Sequence, residues 1–258
     1  MTVSSLFTRA ALVIAHPGHE LRVHGWFSAA RPVTHILTDG SGTSGVSRVS
    51  STEQILRDAG AERGKTFARL SDAEAYRLIL DGRPAVFGEI AEALAEEFEA
   101  DEITCVVGDE SEGYNPVHDV CRLVINAAVD IVRRSGRSLE NWSFPLAARP
   151  DAARQGEYRF VLTDRDFQTK LNTASQYKEL APEVAVAARE FGLDVFRYEV
   201  FAPVVVDVPE NPSSQPFYEV HGERRVMEGR YREVIRYRDH VAPIAAELKK
   251  YAATPCGF

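Results

Sequence analysis

The sequence has little cysteine and no long apolar run, and both absences narrow its class. Cysteine occurs only three times in 258 residues, at Cys105, Cys121 and Cys256, without the C-x-x-C spacing of a metal or redox motif. Such usage is typical of proteins that keep reduced thiols in the cytoplasm, where we expect this chain to act. No stretch reaches the roughly 20 apolar residues of a membrane-spanning helix, and residues 1–9 lack the features of a secretory signal peptide.

Basic residues are also scarce relative to acidic ones. The chain contains 30 Lys and Arg against 38 Asp and Glu, and its formal net charge is −8. A nucleic-acid-binding protein usually presents a basic face, so we expect neither nucleic acid nor a membrane as partner. A pocket can be locally basic although the whole chain is acidic, so an anionic small-molecule ligand is not excluded. The 45% hydrophobic and 26% charged residues are ordinary for a globular protein.

Two histidines stand where the first predicted strand ends. The apolar run Ala10–Ile14 predicts a buried strand, and Ala-His-Pro-Gly-His-Glu follows it over residues 15–20. In α/β proteins, ligands bind at the carboxyl ends of the strands. The proline restricts the turn and the glycine frees it, so His16 and His19 can converge on one point. This arrangement predicts part of a metal site that needs a third ligand from elsewhere.

The pattern of the first half favours an α/β fold. Residues 33–37 and 103–107 predict two further strands, and helical segments separate them. Such alternation, up to about residue 135, is typical of a Rossmann-like, mostly parallel sheet flanked by helices. We therefore predict one domain over residues 1–258. In it, residues 1–135 form the metal-binding, Rossmann-like half and residues 136–258 form a mixed C-terminal elaboration.

The second half has less regular patterning. Its apolar runs predict strands over residues 160–162, 195–200 and 204–208, followed by a proline-rich loop over residues 209–216. Helical spacing predicts helices over residues 164–180, 182–191 and 226–251. A polar cluster with His221 and several arginines could line an anion pocket, although an ordinary charged surface helix explains it as well.

Three loops that follow predicted strands carry side chains suited to one site. The loops hold His16 with His19, Asp39, and His118 with Asp119. Because parallel strands end at the same edge of a sheet, the three histidines could form a single metal site. Zinc in catalytic sites commonly takes three protein ligands and keeps one position for water, whose pKa it lowers. Imidazole also suits other divalent metals.

These segments resemble the LmbE-like (PIG-L) family of zinc-dependent N-deacetylases. That family has Ala-His-Pro-Asp-Asp-Glu after its first strand, a Thr-Asp-Gly loop after its second, and His-Pro-Asp-His at the start of a later helix. Three segments occupy these places in order over roughly the first half of the chain, residues 15–20, 38–40 and 115–118. The resemblance implies zinc, or another divalent metal, held by His16 and His118, with His19 in place of a ligand aspartate.

The resemblance also implies a reaction. It predicts a hydrolase that removes an acyl group from an N-acyl amino sugar or a similar small polar amide. A water molecule on the metal would attack the acyl carbon. The expected partner is therefore a small-molecule substrate, an amino-sugar derivative, and self-association into a homo-oligomer stays open.

Two of the positions that differ from the family affect its proposed chemistry. Where the family has the aspartate that serves as general base, this chain has Gly18, which cannot accept a proton. Where the family motif has a histidine that resembles an oxyanion stabiliser, this chain has Asn115. The Asn115 amide can still donate a hydrogen bond to an oxyanion. We expect Glu112 or Asp39 to take over proton transfer. Three further carboxylates are candidates, Glu20, Glu110 and Asp119.

Two other hypotheses remain open. Gly18 is also consistent with a relative that keeps the fold and the metal but catalyses another reaction, or binds its substrate without deacetylation. The other hypothesis is a non-enzymatic, Rossmann-like binding module. Its histidines would be incidental loop residues, and Asp39 would be an ordinary turn residue. Metal content separates this last hypothesis from the other two, and acetate release separates those from each other.

Overall fold

The computed structural model describes residues 6–42, 44–204 and 214–253. In these residues the strands are β1 (Ala10–Ile14), β2 (Val33–Thr38), β3 (Glu62–Leu70), β4 (Cys105–Asp109), β5 (Glu140–Phe144), β6 (Tyr158–Val161) and β7 (Tyr198–Pro203). The α-helices are α1 (His24–Ala30), α2 (Val49–Ala59), α3 (Asp72–Leu80), α4 (Pro84–Ala100), α5 (Pro116–Arg134), α6 (Asp164–Gln176), α7 (Ala181–Phe191), α8 (Phe217–Met227) and α9 (Ala242–Ala253).

Within the described ranges, the strands form a seven-stranded sheet in the order β3-β2-β1-β4-β5-β7-β6. The first five strands of this order run parallel, and β7 is antiparallel to both of its neighbours. The prediction of a mostly parallel α/β sheet is confirmed. β1 and β4 are adjacent at its centre, with Val13 opposite Gly108. The loops after these two strands therefore begin side by side.

Both faces of the sheet are covered, which explains the unbroken apolar sequence of β1. Successive residues of a strand point to opposite faces. Ala11 and Val13 belong to the core shared with α4, α5 and α9, whereas Leu12 and Ile14 belong to the core beneath α1 and α2. A strand buried on both sides needs apolar residues at every position. All five residues of β1 and all five of β4 are buried.

The sequence did not predict β3, so the strand predicted over residues 103–107 is the fourth strand and not the third. β3 lies at the edge of the sheet and exposes several of its charged side chains, which leaves little apolar pattern to read. The strand predicted over residues 195–200 begins instead at Tyr198. A 3₁₀ turn, Asp194–Arg197, occupies the preceding positions.

The C-terminal helices also differ from the predicted pair. α8 begins at Phe217, before the predicted start, and a π-helical turn, Tyr237–Val241, leads into α9. Residues 205–208 of the predicted strand, residues 209–213 of the predicted loop, and Cys256 lie outside the described residues. Cys105 and Cys121 are buried and form no disulfide. Among the helices that the structure describes, none has the length and apolarity to cross a membrane.

Candidate metal centre

Three histidines meet at the carboxyl edge of the sheet. His16 and His19 follow β1, and His118 lies in the first turn of α5, which follows β4. The ring centroid of His16 lies 5.2 Å from that of His19 and 5.1 Å from that of His118. The centroids of His19 and His118 are 4.7 Å apart. The adjacency of β1 and β4 thus brings the three imidazoles into mutual contact.

A buried carboxylate braces the turn that carries two of these histidines. Glu20 is fully buried. Its Oε2 accepts the Gly18 N–H at 2.7 Å, and its Oε1 accepts the Thr52 hydroxyl at 2.6 Å. Burial raises the pKa of Glu20. Because both of its oxygens are engaged within the fold, Glu20 holds the loop.

Gly18 is required by the backbone and by the packing around it. Its φ of 105° lies in the left-handed region that favours glycine. A Cβ at this position would lie 2.1 Å from Cδ1 of Leu180 and 3.5 Å from the ring of Tyr177. The C-terminal half therefore fills the space that a side chain at position 18 would need. A carboxylate base must come from another position.

Asp72 and Thr38 hold the His16 ring from behind. Nδ1 of His16 lies 2.7 Å from the Thr38 hydroxyl and 3.0 Å from Oδ1 of Asp72, which also accepts the Thr38 hydroxyl at 2.5 Å. Burial alone would raise the pKa of Asp72, but hydrogen bonds from His16, Thr38 and the Gly42 amide hold the pKa below its usual range. Because an ionised carboxylate can only accept, Nδ1 of His16 carries the proton and Nε2 keeps its lone pair.

Asp109 holds the His19 ring in the same way. Its Oδ2 lies 2.8 Å from Nδ1 of His19 and also accepts the Ala15 N–H at 2.7 Å. The carboxylate is fully buried, so one oxygen joins the end of β1 to the end of β4. Histidines that bind metals commonly donate their second nitrogen to such a carboxylate, which fixes the tautomer and the ring orientation.

Burial favours the neutral form of two of the three imidazoles. It lowers the pKa of His16. It lowers the pKa of His118 well below the usual value, and the neighbouring His19 and His16 contribute to that shift. An imidazole binds a metal only when its ligating nitrogen is unprotonated. The site therefore keeps these ligand candidates in the form that a metal requires.

The ring spacing suits a tetrahedral metal ion. A zinc–nitrogen bond of about 2.1 Å places imidazole centroids about 5 Å apart, and the observed distances are 4.7 to 5.2 Å. Across the described ranges, no three His, Cys, Asp or Glu side chains already have their donor atoms gathered to hold an ion. Binding would therefore require the rings to turn towards a common point. The donor set of three imidazoles, two of them backed by carboxylates, fits a divalent metal such as zinc.

Asn115 begins α5 one helical turn before His118 and presents a free amide. Its Oδ1 accepts the Val117 N–H at 2.8 Å as the helix N-cap, and the Tyr76 hydroxyl donates to the same oxygen at 3.3 Å. Because the Val117 N–H can only donate, the accepting atom is the oxygen, and Nδ2 faces away from it. No acceptor among the described residues engages Nδ2, which is available to a ligand.

Glu112 and Asp39, the two general bases expected from the sequence, differ in how many of their carboxylate oxygens already accept hydrogen bonds. The backbone amides of residues 146–148 donate to the Glu112 carboxylate at 2.7 to 2.8 Å and engage both of its oxygens. Asp39 accepts the amides of Ser41 and Asp72 through Oδ1 alone, at 3.0 and 3.2 Å. Within the described part of the chain, Oδ2 of Asp39 has no partner. Of the two, Asp39 is therefore the one with a carboxylate oxygen left to accept a proton.

The remaining candidate carboxylates stabilise the loop between β4 and α5. Glu110 forms an ion pair with Arg154, and Asp119 accepts the Gly113 N–H at 3.2 Å. Burial raises the pKa of Glu110, and it raises the pKa of Asp119 to about 6. Asp119 directly follows His118 but is buried beneath its own loop.

Sequence reasoning missed Asp72, Asp109 and Tyr76, which orient the site. Asp72 meets His16 across 56 positions of sequence, and Asp109 meets His19 across 90. Asp72 was hidden because Ser-Asp-Ala-Glu is typical of a helix start, and its serine and glutamate do form a capping box. The position of Asp109 in the sequence could have indicated a site residue. It is the last residue of β4, as Asp39 is the first residue after β2, and ligands bind at such strand ends.

Solved structures share this fold at low sequence identity. No family model and no curated protein matches the sequence. The chain is similar to teicoplanin deacetylase Orf2 in its zinc-inhibited form, with a TM-score of 0.54 and 14% identity, over 76% of this chain and 98% of that one. It is also similar to the A40926 pseudoaglycone deacetylase Dbv21, with a TM-score of 0.52 and 16% identity, over 77% of this chain and 98% of that one.

A third similar structure has no activity in its description. This conserved protein from Thermus thermophilus gives a TM-score of 0.50 and 18% identity, over 80% of this chain and 98% of its own. At these identities, the three comparisons establish the fold of the present chain. The chemistry of the site depends on the residues of this chain.

Proposed function

We propose that this protein is a metal-dependent hydrolase that removes an acyl group from an N-acyl amino sugar or a similar small polar amide. The observation that carries the proposal is the cluster of three imidazoles at the sheet edge, two of them held from behind by buried carboxylates. The likeness of its fold to deacetylases is consistent with this reaction. We take residues 1–258 to act as one cytoplasmic domain on a small molecule.

His16, His19 and His118 would hold a divalent metal, for which we propose zinc. When bound, such an ion supplies Lewis acidity, which lowers the pKa of water and polarises an acyl carbonyl. Asp72 and Asp109 hold the Nδ1 atoms of His16 and His19, which leaves Nε2 of each ring as the nitrogen for a metal. A carboxylate in this position raises the basicity of the imidazole that it holds, and the rings would turn towards a common point on binding.

Asn115 and Asp39 supply the remaining chemistry in this proposal. Nδ2 of Asn115 donates a hydrogen bond to the carbonyl oxygen as that oxygen gains negative charge. Oδ2 of Asp39 accepts a proton from the attacking water and then passes it to the nitrogen of the leaving amine. Glu112, the other nominated base, keeps the loop at residues 146–148 in place.

A second candidate function keeps the metal but not the deacetylation. Gly18 stands at the family's base position, and Leu180 fills the space beside it. Both oxygens of Glu20 and both oxygens of Glu112 are engaged within the fold. These observations favour a site that binds a substrate, or transforms it differently, if Asp39 does not act as the base.

Acetate release from a panel of N-acetyl amino sugars tests the proposal. The full chain is stripped with a chelator, reloaded with zinc and compared with the stripped protein. We expect zinc-dependent acetate release from at least one sugar, and none from His118→Ala. Val161→Ala is the matched control, because this residue is exposed on β6, away from the three histidines. Bound zinc without acetate from any sugar would reject deacetylation and favour the second candidate.

A further inference from the structure

α5 carries a buried cation, Arg122, one helical turn after His118. Arg122 is 3% exposed, and residues four apart on a helix lie on the same face. A buried charge costs free energy unless the groups around it compensate for the lost water. Because apolar residues often replace buried charges without loss of stability, a buried arginine indicates a requirement other than stability. The proposed mechanism assigns no role to this guanidinium.

The Arg122 guanidinium bridges α5 to two neighbouring strands of the sheet. Its Nε donates to the carbonyl of Asp109, the last residue of β4, at 2.5 Å. Its Nη1 donates to Oδ1 of Asn141 at 2.9 Å and its Nη2 donates to the Trp142 carbonyl at 3.3 Å, both on β5. β4 and β5 pair in parallel. All three acceptors are neutral, so these contacts depend on the fixed directions of the guanidinium N–H groups.

The residues around the guanidinium are suited to hold it. A Cβ at Gly108 would lie 3.0 Å from Nη2 of Arg122, closer than ordinary van der Waals contact, so glycine leaves the space that the side chain needs. Asn126, one further turn along α5, accepts Nδ2 of Asn141 at 2.9 Å and holds the amide whose oxygen faces Arg122. His118, Arg122 and Asn126 thus follow one another at four-residue spacing along one face of α5.

Asp109 connects this bridge to the metal centre. Its carboxylate lies 2.8 Å from Nδ1 of His19, and its carbonyl accepts the Nε–H of Arg122. His118 lies on the same helix as Arg122, one turn earlier. Two of the three candidate ligands are therefore connected through Asp109, Arg122 and a single turn of α5, although residues 110–115 separate β4 from α5 in the chain.

We infer that Arg122 is a positioning residue of the metal centre, which fixes α5 against the end of β4 and thereby sets the 4.7 Å separation of the His118 and His19 rings. The inference rests on the metal site of the proposed function and extends it to a residue that touches neither metal nor substrate. Metal–ligand distances vary by only about 0.2 Å, so a small movement of α5 changes binding. Lysine keeps the positive charge but lacks the planar fork that reaches three acceptors.

Metal binding by the full chain tests the inference without reference to hydrolysis. Competition with a chromophoric chelator measures the zinc affinity, and the visible spectrum of the cobalt-loaded protein reports the geometry around the ion. We expect Arg122→Lys to bind zinc about tenfold more weakly and to change the cobalt spectrum. Val129→Ala is the matched control, because this residue is buried in α5 about three turns beyond His118. It should lower the melting temperature and leave both metal readouts unchanged.

A milder variant covers the case in which Arg122→Lys does not fold. Asn141→Ala removes the acceptor of Nη1 and keeps the bonds from Nε and Nη2, so we expect its zinc affinity to fall by about threefold. Melting temperatures of the metal-free proteins show which variants fold.

The possible outcomes separate this inference from the proposed function. An unchanged zinc affinity or an unchanged cobalt spectrum in the Arg122 variant, or in Asn141→Ala where it replaces that variant, would overturn the inference and leave the hydrolase standing. An equal loss of affinity in Val129→Ala would assign the effect to overall stability and also overturn it. A loss specific to the bridge, without acetate release by the wild type, would support the inference and reject deacetylation. Absence of metal binding by the wild type would overturn both.

Discussion

Oδ2 of Asp109 lies 2.8 Å from Nδ1 of His19, across 90 positions of sequence. The same oxygen accepts the Ala15 N–H at 2.7 Å, so this carboxylate sets the orientation of the ring and the start of its loop together. Asp72 has the corresponding relationship to His16. Two imidazoles are therefore each held at Nδ1 by a carboxylate from another segment of the chain. This is the feature that distinguishes the cluster from loop histidines that merely lie close together.

Replacing Asp109 should weaken zinc binding. Asparagine can still accept the Nδ1–H of His19 but without a negative charge, so we expect the affinity of Asp109→Asn for zinc to fall by about tenfold to a hundredfold. Competition with a chromophoric chelator at fixed pH measures this affinity without reference to catalysis. Asp58→Asn, an exposed change on α2, is the control. Equal zinc affinities for the two variants would contradict the positioning role of Asp109.

Asn115 should contribute separately to stability and to catalysis. Asn115→Asp keeps an N-cap acceptor for the Val117 N–H but removes the Nδ2 donor, so we expect an unchanged melting temperature and a fall in kcat of about a hundredfold. Asn115→Ala removes both groups and should also destabilise the fold by about 1 kcal/mol. Thermal melts and acetate-release kinetics on both variants measure the two effects. Wild-type kcat in Asn115→Asp would exclude the oxyanion role.

The nominated bases should respond differently to amide substitution. Asp39→Asn keeps the oxygen that accepts the Ser41 amide but loses the free acceptor for a proton. We expect kcat to fall by about a hundredfold to ten-thousandfold, with KM nearly unchanged. Glu112→Gln weakens the hydrogen bonds to residues 146–148, which should cost about 1–3 kcal/mol of folding free energy and leave kcat within about tenfold. The reverse pattern in the kinetics would make Glu112 the base.

His35 should make the stability of the fold depend on pH. It is 1% exposed, neither ring nitrogen has a hydrogen-bond partner within the described residues, and its Nδ1 lies 3.6 Å from Oε2 of Glu97, whose charge opposes but does not outweigh the effect of burial on the pKa. Burial lowers the pKa of His35 from 6.5 to about 4. The folded protein therefore keeps His35 neutral where the unfolded chain protonates it. This favours folding fully above pH 6.5, and the advantage is lost as the pH falls towards 4.

Urea unfolding at about pH 7.5 and about pH 4.5 measures this dependence. The wild type should lose up to about 3 kcal/mol more than His35→Leu between these conditions. Leucine has a similar volume and no polar group to satisfy, so the variant should match the wild type within about 1 kcal/mol near neutral pH. Parallel pH profiles for the two proteins would show that His35 is not the titrating group.

The sheet could be predicted where burial left a pattern in the sequence. β1 is apolar throughout, and β2 and β4 are largely so, because both faces of the sheet are covered; the order of these strands sets the edge at which the histidines meet. β3 could not be found in this way, because an edge strand exposes charged side chains and needs no apolar run. The C-terminal strands join the sheet through antiparallel pairing, which no local sequence motif predicts.

The site could be predicted to the level of its ligands but not of their supports. Short motifs indicated the three histidines and Asn115, because each of those positions follows a strand or begins a helix. Asp72 and Asp109 act through contacts between distant segments, which a single sequence does not display. The engagement of Glu112 by residues 146–148 is likewise a tertiary feature. Gly18 suggested a lost base, and the structure explains why no side chain fits there.

Zinc titration of the chelator-stripped protein tests whether His16, His19 and His118 form one metal site. Calorimetry on the wild type, on His118→Ala and on His35→Leu, a histidine control outside the cluster, gives the stoichiometry and affinity of each. We expect saturable uptake of one zinc per chain by the wild type and by His35→Leu, and no saturable uptake by His118→Ala. Failure of the wild type to bind zinc, or equal binding by His118→Ala, would contradict it.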